Sequence, residues 1–61
     1  MKKYRLRILY MGGTISYYNH NVLAKEFDIS DGAYVFYDEV NELVFASPVK
    51  VTVIENIKKL D

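Results

Sequence analysis

Cysteine and tryptophan are absent from this 61-residue chain, while histidine and proline occur once each and glycine three times. Without cysteine there is no disulfide framework. With a single histidine there is no ordinary zinc ligand set either, and a chain without thiols suits a reducing compartment. Long apolar runs are missing too: Ala33 to Tyr37 and Leu43 to Ala46 fall far short of a membrane span. The opening Met1-Lys2-Lys3-Tyr4-Arg5-Leu6-Arg7 interleaves charge with apolar residues where a signal peptide would be uniformly apolar, so a cytoplasmic protein with no membrane partner is expected. A net charge is lacking as well, since eight basic residues balance eight acidic ones. That balance argues against a general affinity for polyanions.

One domain, 1–61, is expected. A chain of this size buries only roughly 60% of the surface its unfolded form exposes, so folding often needs a disulfide, a metal or a partner subunit. The first two are excluded by composition, which leaves a homo-oligomer as the expected support.

What the chain does contain is 51% hydrophobic residues, six tyrosines, three phenylalanines and two paired turn signals, Gly12-Gly13 and Asp31-Gly32. Pairs of that kind supply the positive φ angles of a type I′ turn, and alternating segments flank both, so two β-hairpins are predicted. In the first strand Tyr4, Leu6, Ile8 and Tyr10 share one face and Lys3, Arg5, Arg7, Leu9 and Met11 the other. A two-residue Gly12-Gly13 loop opposes Ile8 with Tyr17, Arg7 with Tyr18 and Arg5 with His20. Centring the second hairpin on Asp31-Gly32 opposes Ile29 with Tyr34, Phe27 with Phe36 and Lys25 with Asp38, two apolar pairs followed by a charge pair.

Asp38 to Glu42 reads as a polar turn. Leu43 to Ala46 then forms a strand that sets Phe45 beside Phe36, and Pro48, which has no N–H to donate, marks a strand start, bend or edge. Val49 to Ile54 reads as the last strand, with Val49, Val51 and Val53 on one face. Ile57 and Leu60, three apart, suit one helical turn. The fold class is therefore all-β: an antiparallel meander of about five strands, as a sheet or an SH3-like barrel, ending in a short helical turn. Phe27, Ile29, Tyr34, Phe36, Phe45, Val51 and Val53 supply a small core. Tyr17, Tyr18 and Tyr37 remain for a surface, with Tyr17 and Tyr37 as the candidate interface residues.

Nothing in the chain has the pattern of an enzyme. His20 lies in a turn-like Asn19-His20-Asn21 without a partner histidine, cysteine or positioned carboxylate, and Ser16, Ser30 and Ser47 lack a nucleophile elbow. Gly12-Gly13-Thr14 lacks the lysine of a phosphate loop, and the spacing of Asp28, Asp31 and Asp38 matches no calcium loop, so no metal or cofactor is expected. The constellation that does carry chemistry is Lys3, Arg5, Arg7, Tyr18 and His20, which the predicted register gathers on one face. Guanidinium groups beside an aromatic ring neutralise phosphate and stack on bases, although a solvated strand face gives the same pattern. Lys50, Lys58 and Lys59 bring basic residues back at the other end of the chain, and the two ends can share a basic surface.

The stretch Asp28-Ile-Ser-Asp-Gly-Ala-Tyr-Val-Phe-Tyr-Asp38, continuing to Leu43-Val-Phe-Ala-Ser-Pro-Val49, resembles the cadence of short β proteins encoded by bacteriophages and prophages. The resemblance implies a small accessory protein that acts by binding, in a host cytoplasm. A non-enzymatic module that sequesters or blocks a host component is expected. The component is an anionic small molecule such as a cyclic nucleotide, or a host protein met by Tyr37 and its acidic neighbours. The alternatives are a small barrel that binds nucleic acid through the same basic face and a structural part of a virion.

Overall fold

A computed structural model describes residues 1–12 and 14–60, with side chains described outside residues 11–14. Among these residues the chain forms six strands and one short 3-10 turn, which bears out the all-β class. The strands are β1 (Lys2–Gly12), β2 (Thr14–Ala24), β3 (Glu26–Ser30), β4 (Ala33–Tyr37), β5 (Leu43–Pro48) and β6 (Thr52–Lys59). They make two antiparallel three-stranded sheets of order β2-β1-β6 and β3-β4-β5. The second sheet is a meander. The first is not, because β6 returns to pair with β1 along its other side.

The Asp31-Gly32 hairpin forms as read. Both residues have positive φ, 50° and 74°, and the ladder opposes Ile29 with Tyr34 and Phe27 with Phe36. Phe45 then pairs with Phe36 from β5 as predicted. The expected opposition of Lys25 and Asp38 gives way to a different use of the acid: Asp38 Oδ1 accepts hydrogen bonds from the backbone N–H groups of Val40 and Glu42 and so closes the 38–42 turn.

The first hairpin is shifted by one residue from its predicted register. Its Gly12-Gly13 turn lies partly outside the described residues, but the ladder runs from Gly12 opposite Thr14 to Lys2 opposite Ala24. A slip of one residue moves every side chain to the other face. Tyr18 and His20 therefore oppose Ile8 and Leu6, on the side that packs against the second sheet, and Asn19 and Asn21 oppose Arg7 and Arg5. Asn19-His20-Asn21 is the middle of a strand, not a turn.

Two further expectations are corrected at the C-terminal end. Val49–Val51 is a 3-10 turn, because Pro48 at φ −59° ends β5 and the Val49 N–H donates to the Gly32 carbonyl. The tail forms no helical turn: it is the strand β6. The alternation of β6 is broken where the β1 register shifts between Arg5 and Leu6, so that Ile54 and Ile57 both face the β1 residues of the core. A bulge adds one residue to one strand, which puts Ile54 and Ile57 on one face although they are three apart.

The core lies between the sheets. Tyr4, Leu6, Ile8, Val22, Ala24 and Phe36 are buried, and Phe27, Tyr34, Phe45, Val51 and Ile54 pack against them. Tyr4 meets Phe36 and Phe27 edge-on at ring-centroid distances of 5.1 and 5.7 Å, the geometry aromatic quadrupoles favour. Ile29 and Val53, expected inside, are 57% and 52% exposed. Ile29 lies at an end of β3 near its turn, and Val53 opposes Arg7 on the outer face of the first sheet.

Candidate functional site

The outer face of the β2-β1-β6 sheet collects cations from both ends of the chain. Alternation along β1 turns Lys3, Arg5 and Arg7 outward, since Tyr4, Leu6 and Ile8 are buried between them. Opposed residues share a face, so β6 adds Lys58 beside Lys3 and Asn56 beside Arg5, while β2 adds Asn21 beside Arg5 and Asn19 beside Arg7. Lys3, Arg5, Asn19, Asn21, Asn56 and Lys58 line one shallow depression of about 310 Å³.

Glu55 sets the charge of this face. It has no partner in the β1 ladder, falling where the register shifts. Its carboxylate lies 3.8 Å from both the Arg5 and the Arg7 guanidinium. These are solvent-exposed pairs at the long end of the range, so they orient the arginines more than they stabilise the fold. Arg7 also lies over the Tyr17 ring at 4.8 Å from its centroid. The arginine thus keeps its planar fork while holding an aromatic surface beside it.

Of the five residues expected to share a site, the structure brings together three: Lys3, Arg5 and Arg7. Tyr18 and His20 are on the opposite face. His20 is exposed, and its ring stacks on Phe45 at 4.6 Å. The ring beside the arginines is Tyr17 instead. The two candidate interface tyrosines are also separated: Tyr17 is on the basic face, whereas half-buried Tyr37 lies in the other sheet opposite Glu26 and lines a second depression with Glu26, Asp28 and Asn41. Sequence reasoning missed Asn19, Asn21, Asn56 and Glu55. The asparagines depend on a one-residue register and Glu55 on a bulge, and neither leaves a local signal. The suggestion that the two ends share a basic surface holds at Lys3 and Lys58.

Chemically the face holds three cations and three amides around an open depression, with Arg7 and the Glu55 carboxylate beside it. Amides both donate and accept hydrogen bonds, and the guanidinium of Arg5 offers a planar donor fork. No group of three or more potential metal ligands occurs among the described residues. No helix there is long and apolar enough to cross a membrane. No protein-family model, curated protein or solved structure matches the chain, so the reading of this face rests on its own residues.

Proposed function

We propose that the protein is a non-enzymatic binding module of the phage accessory type that sequesters a phosphate-bearing small molecule of the nucleotide class on the outer face of β1, β2 and β6. The observation that supports this is the grouping of Lys3, Arg5 and Lys58 with Asn19, Asn21 and Asn56 around one depression. Cations supply the attraction to phosphate, and asparagine amides match the mixed donor and acceptor edge of a base. The dimensions favour a small ligand over a long strand. From Lys3 to Arg7 the face runs about 13 Å at ~3.3 Å per residue. Modules that track single-stranded nucleic acid commonly cover about 4–16 nucleotides.

Calorimetric titration with cyclic mono- and dinucleotides tests the reading. Arg5→Ala is expected to weaken binding by about tenfold or more, the cost of one charge-assisted contact. Arg7→Ala is expected to do less, because Arg7 is not on the rim of the depression. Glu55→Gln should tighten binding, since it removes the one carboxylate competing for the arginines. Absence of binding to every nucleotide tried, or an Arg5→Ala variant that binds as well as the parent, overturns the proposal. Preference for a long oligonucleotide, with affinity falling steeply as salt rises, would favour the nucleic-acid reading instead.

A further inference from the structure

Strand β2 has no charged residue, no proline and no glycine in Thr-Ile-Ser-Tyr-Tyr-Asn-His-Asn-Val-Leu-Ala, Thr14–Ala24, with its histidine taken as neutral. It is also the edge of its sheet, with β1 as its neighbour on one side. An edge exposes a row of open N–H and C=O groups, and proteins ordinarily blunt it with charge, proline, a bulge or a short strand. The other edges follow that rule: β6 carries Glu55, Lys58, Lys59 and a register shift, β5 ends in Pro48, and β3 is five residues long with Glu26 and Asp28. β2 has none of these defences over eleven residues. It also exposes Ile15 at 72%, Tyr17 at 57%, Leu23 at 56% and Tyr18 at 49%.

We propose that β2 pairs with β2 of a second copy, antiparallel about a two-fold axis at Asn19, joining two three-stranded sheets into one of six strands. The strand is complementary to itself in that register. With Asn19 opposite its own copy, Ile15 meets Leu23 and Tyr17 meets Asn21 on the outer face, while Tyr18 meets His20 and Ser16 meets Val22 on the inner one. The two most exposed aliphatic side chains of β2 thus cover each other. A two-residue shift that brings the C-terminal ends together sets Ile15 opposite Lys25. Neutrality favours a twin over an unrelated strand: nothing in β2 repels its copy, and nothing in it selects a partner of either charge. A two-fold contact of this kind closes at two subunits.

The second copy fits the surroundings of the edge as well. β5 passes beneath β2 where Phe45 stacks on His20, so the inner face of an added strand would continue the surface that His20 begins. The pairing also places the two outer faces side by side, with Asn19 and Asn21 between two sets of Arg5 and Arg7. It stands whether or not that face binds a nucleotide.

Light scattering on the full chain at micromolar concentration is expected to give twice the 7.1 kDa chain mass. Asn19→Cys tests the axis, because antiparallel neighbours lie about 4.5–5.5 Å apart at Cα and a disulfide spans that distance. The chain has no other cysteine, so oxidation should cross-link Asn19→Cys efficiently and leave the exposed-site control Lys50→Cys largely monomeric on a denaturing gel. Ile15→Lys should weaken association about tenfold with an unchanged far-ultraviolet spectrum, since two symmetry-related pairs are lost at once. If that variant misfolds, hydrogen exchange of the parent decides: paired on both sides, β2 should protect successive amides from Ile15 to Leu23. A monomer in which every second β2 amide exchanges freely overturns the proposal. So does a dimer that cross-links at Lys50→Cys but not at Asn19→Cys, or a mass that keeps growing beyond two copies.

Discussion

Gly32 occupies φ +74° with no atom near the place its side chain would take, so its identity is required by the backbone alone. Gly32→Val is expected to lower stability by more than about 1 kcal/mol, because a β-branched residue is disfavoured at positive φ even in open space. Chemical denaturation measures it, and an unchanged midpoint would contradict the I′ geometry. Tyr4 tests the core in another way. Burial first, and the nearby Glu26 charge second, raise its phenol above the ordinary value of 10.0. Folded Tyr4 therefore holds its proton at a pH where the unfolded chain releases it. Its contribution is complete below pH 10 and is lost as pH rises through the raised value. Tyr4→Phe should flatten the alkaline decline of the melting temperature relative to the parent, after allowing for any common shift.

Strand β6 carries, at its start and near its middle, features that no single strand shows. At its start Thr52 and Ser47, both buried, hydrogen-bond through their hydroxyls across the 3-10 turn. Thr52→Val strands the Ser47 hydroxyl in the interior and should cost about 1–3 kcal/mol. Adding Ser47→Ala to Thr52→Val should cost less than the two single changes summed, because no polar group is then left unpaired. A double-mutant cycle by urea titration reads this directly, and additive costs would mean that the hydroxyls do not interact. Further along, the register shift places Glu55 against Arg5 and Arg7. Glu55→Gln should leave stability nearly unchanged, within about 0.5 kcal/mol, because exposed ion pairs contribute little. The same substitution should alter anion affinity, so it separates the electrostatics of the face from the stability of the fold.

The whole molecule is polarised although its formal charge is zero. Lys3, Arg5, Arg7 and Lys58 share the outer face of one sheet, while Glu26 and Asp28 lie on β3 and Asp31, Asp38, Glu39 and Glu42 fill the turns of the other. It is also long and thin, 38 × 24 × 13 Å. Eleven-residue strands reach about 36 Å at ~3.3 Å per residue, so the β1–β2 hairpin sets the length. β6 pairs with β1 only from Lys2 to Ile8, which leaves Leu9 to Gly12 with β2 as its partner. Two-stranded ribbons are marginal in water. Amides of Leu9 and Tyr10 are expected to exchange markedly faster than those of Leu6 and Ile8. Equal protection along β1 would show that something covers the ribbon on the β6 side.

Local chemistry made several features legible. The Asp31-Gly32 pair sets positive φ at two residues, and the alternation on either side matches Phe27 with Phe36 and Phe45 whatever the rest of the chain does. Alternation in β1 likewise sends Lys3, Arg5 and Arg7 to one face, because Tyr4, Leu6 and Ile8 leave no ambiguity about which side is apolar. β2 offers no such guide. Ile15, Tyr17 and Leu23 are apolar on one parity and Tyr18, Val22 and Ala24 on the other, so its facing had to be decided by pairing with β1. That one-residue choice exchanged Tyr18 and His20 for Tyr17, Asn19 and Asn21 beside the arginines. The second half of β6 was hidden for a related reason: the spacing of Ile57 and Leu60 suits a helical turn, and only pairing with Lys2 to Arg5 of β1 makes that stretch a strand. Turns and one-sided strands are determined by neighbours along the chain. Register, bulges and the makeup of a shared face depend on hydrogen bonds between segments distant in sequence, and those are settled only when the sheets form.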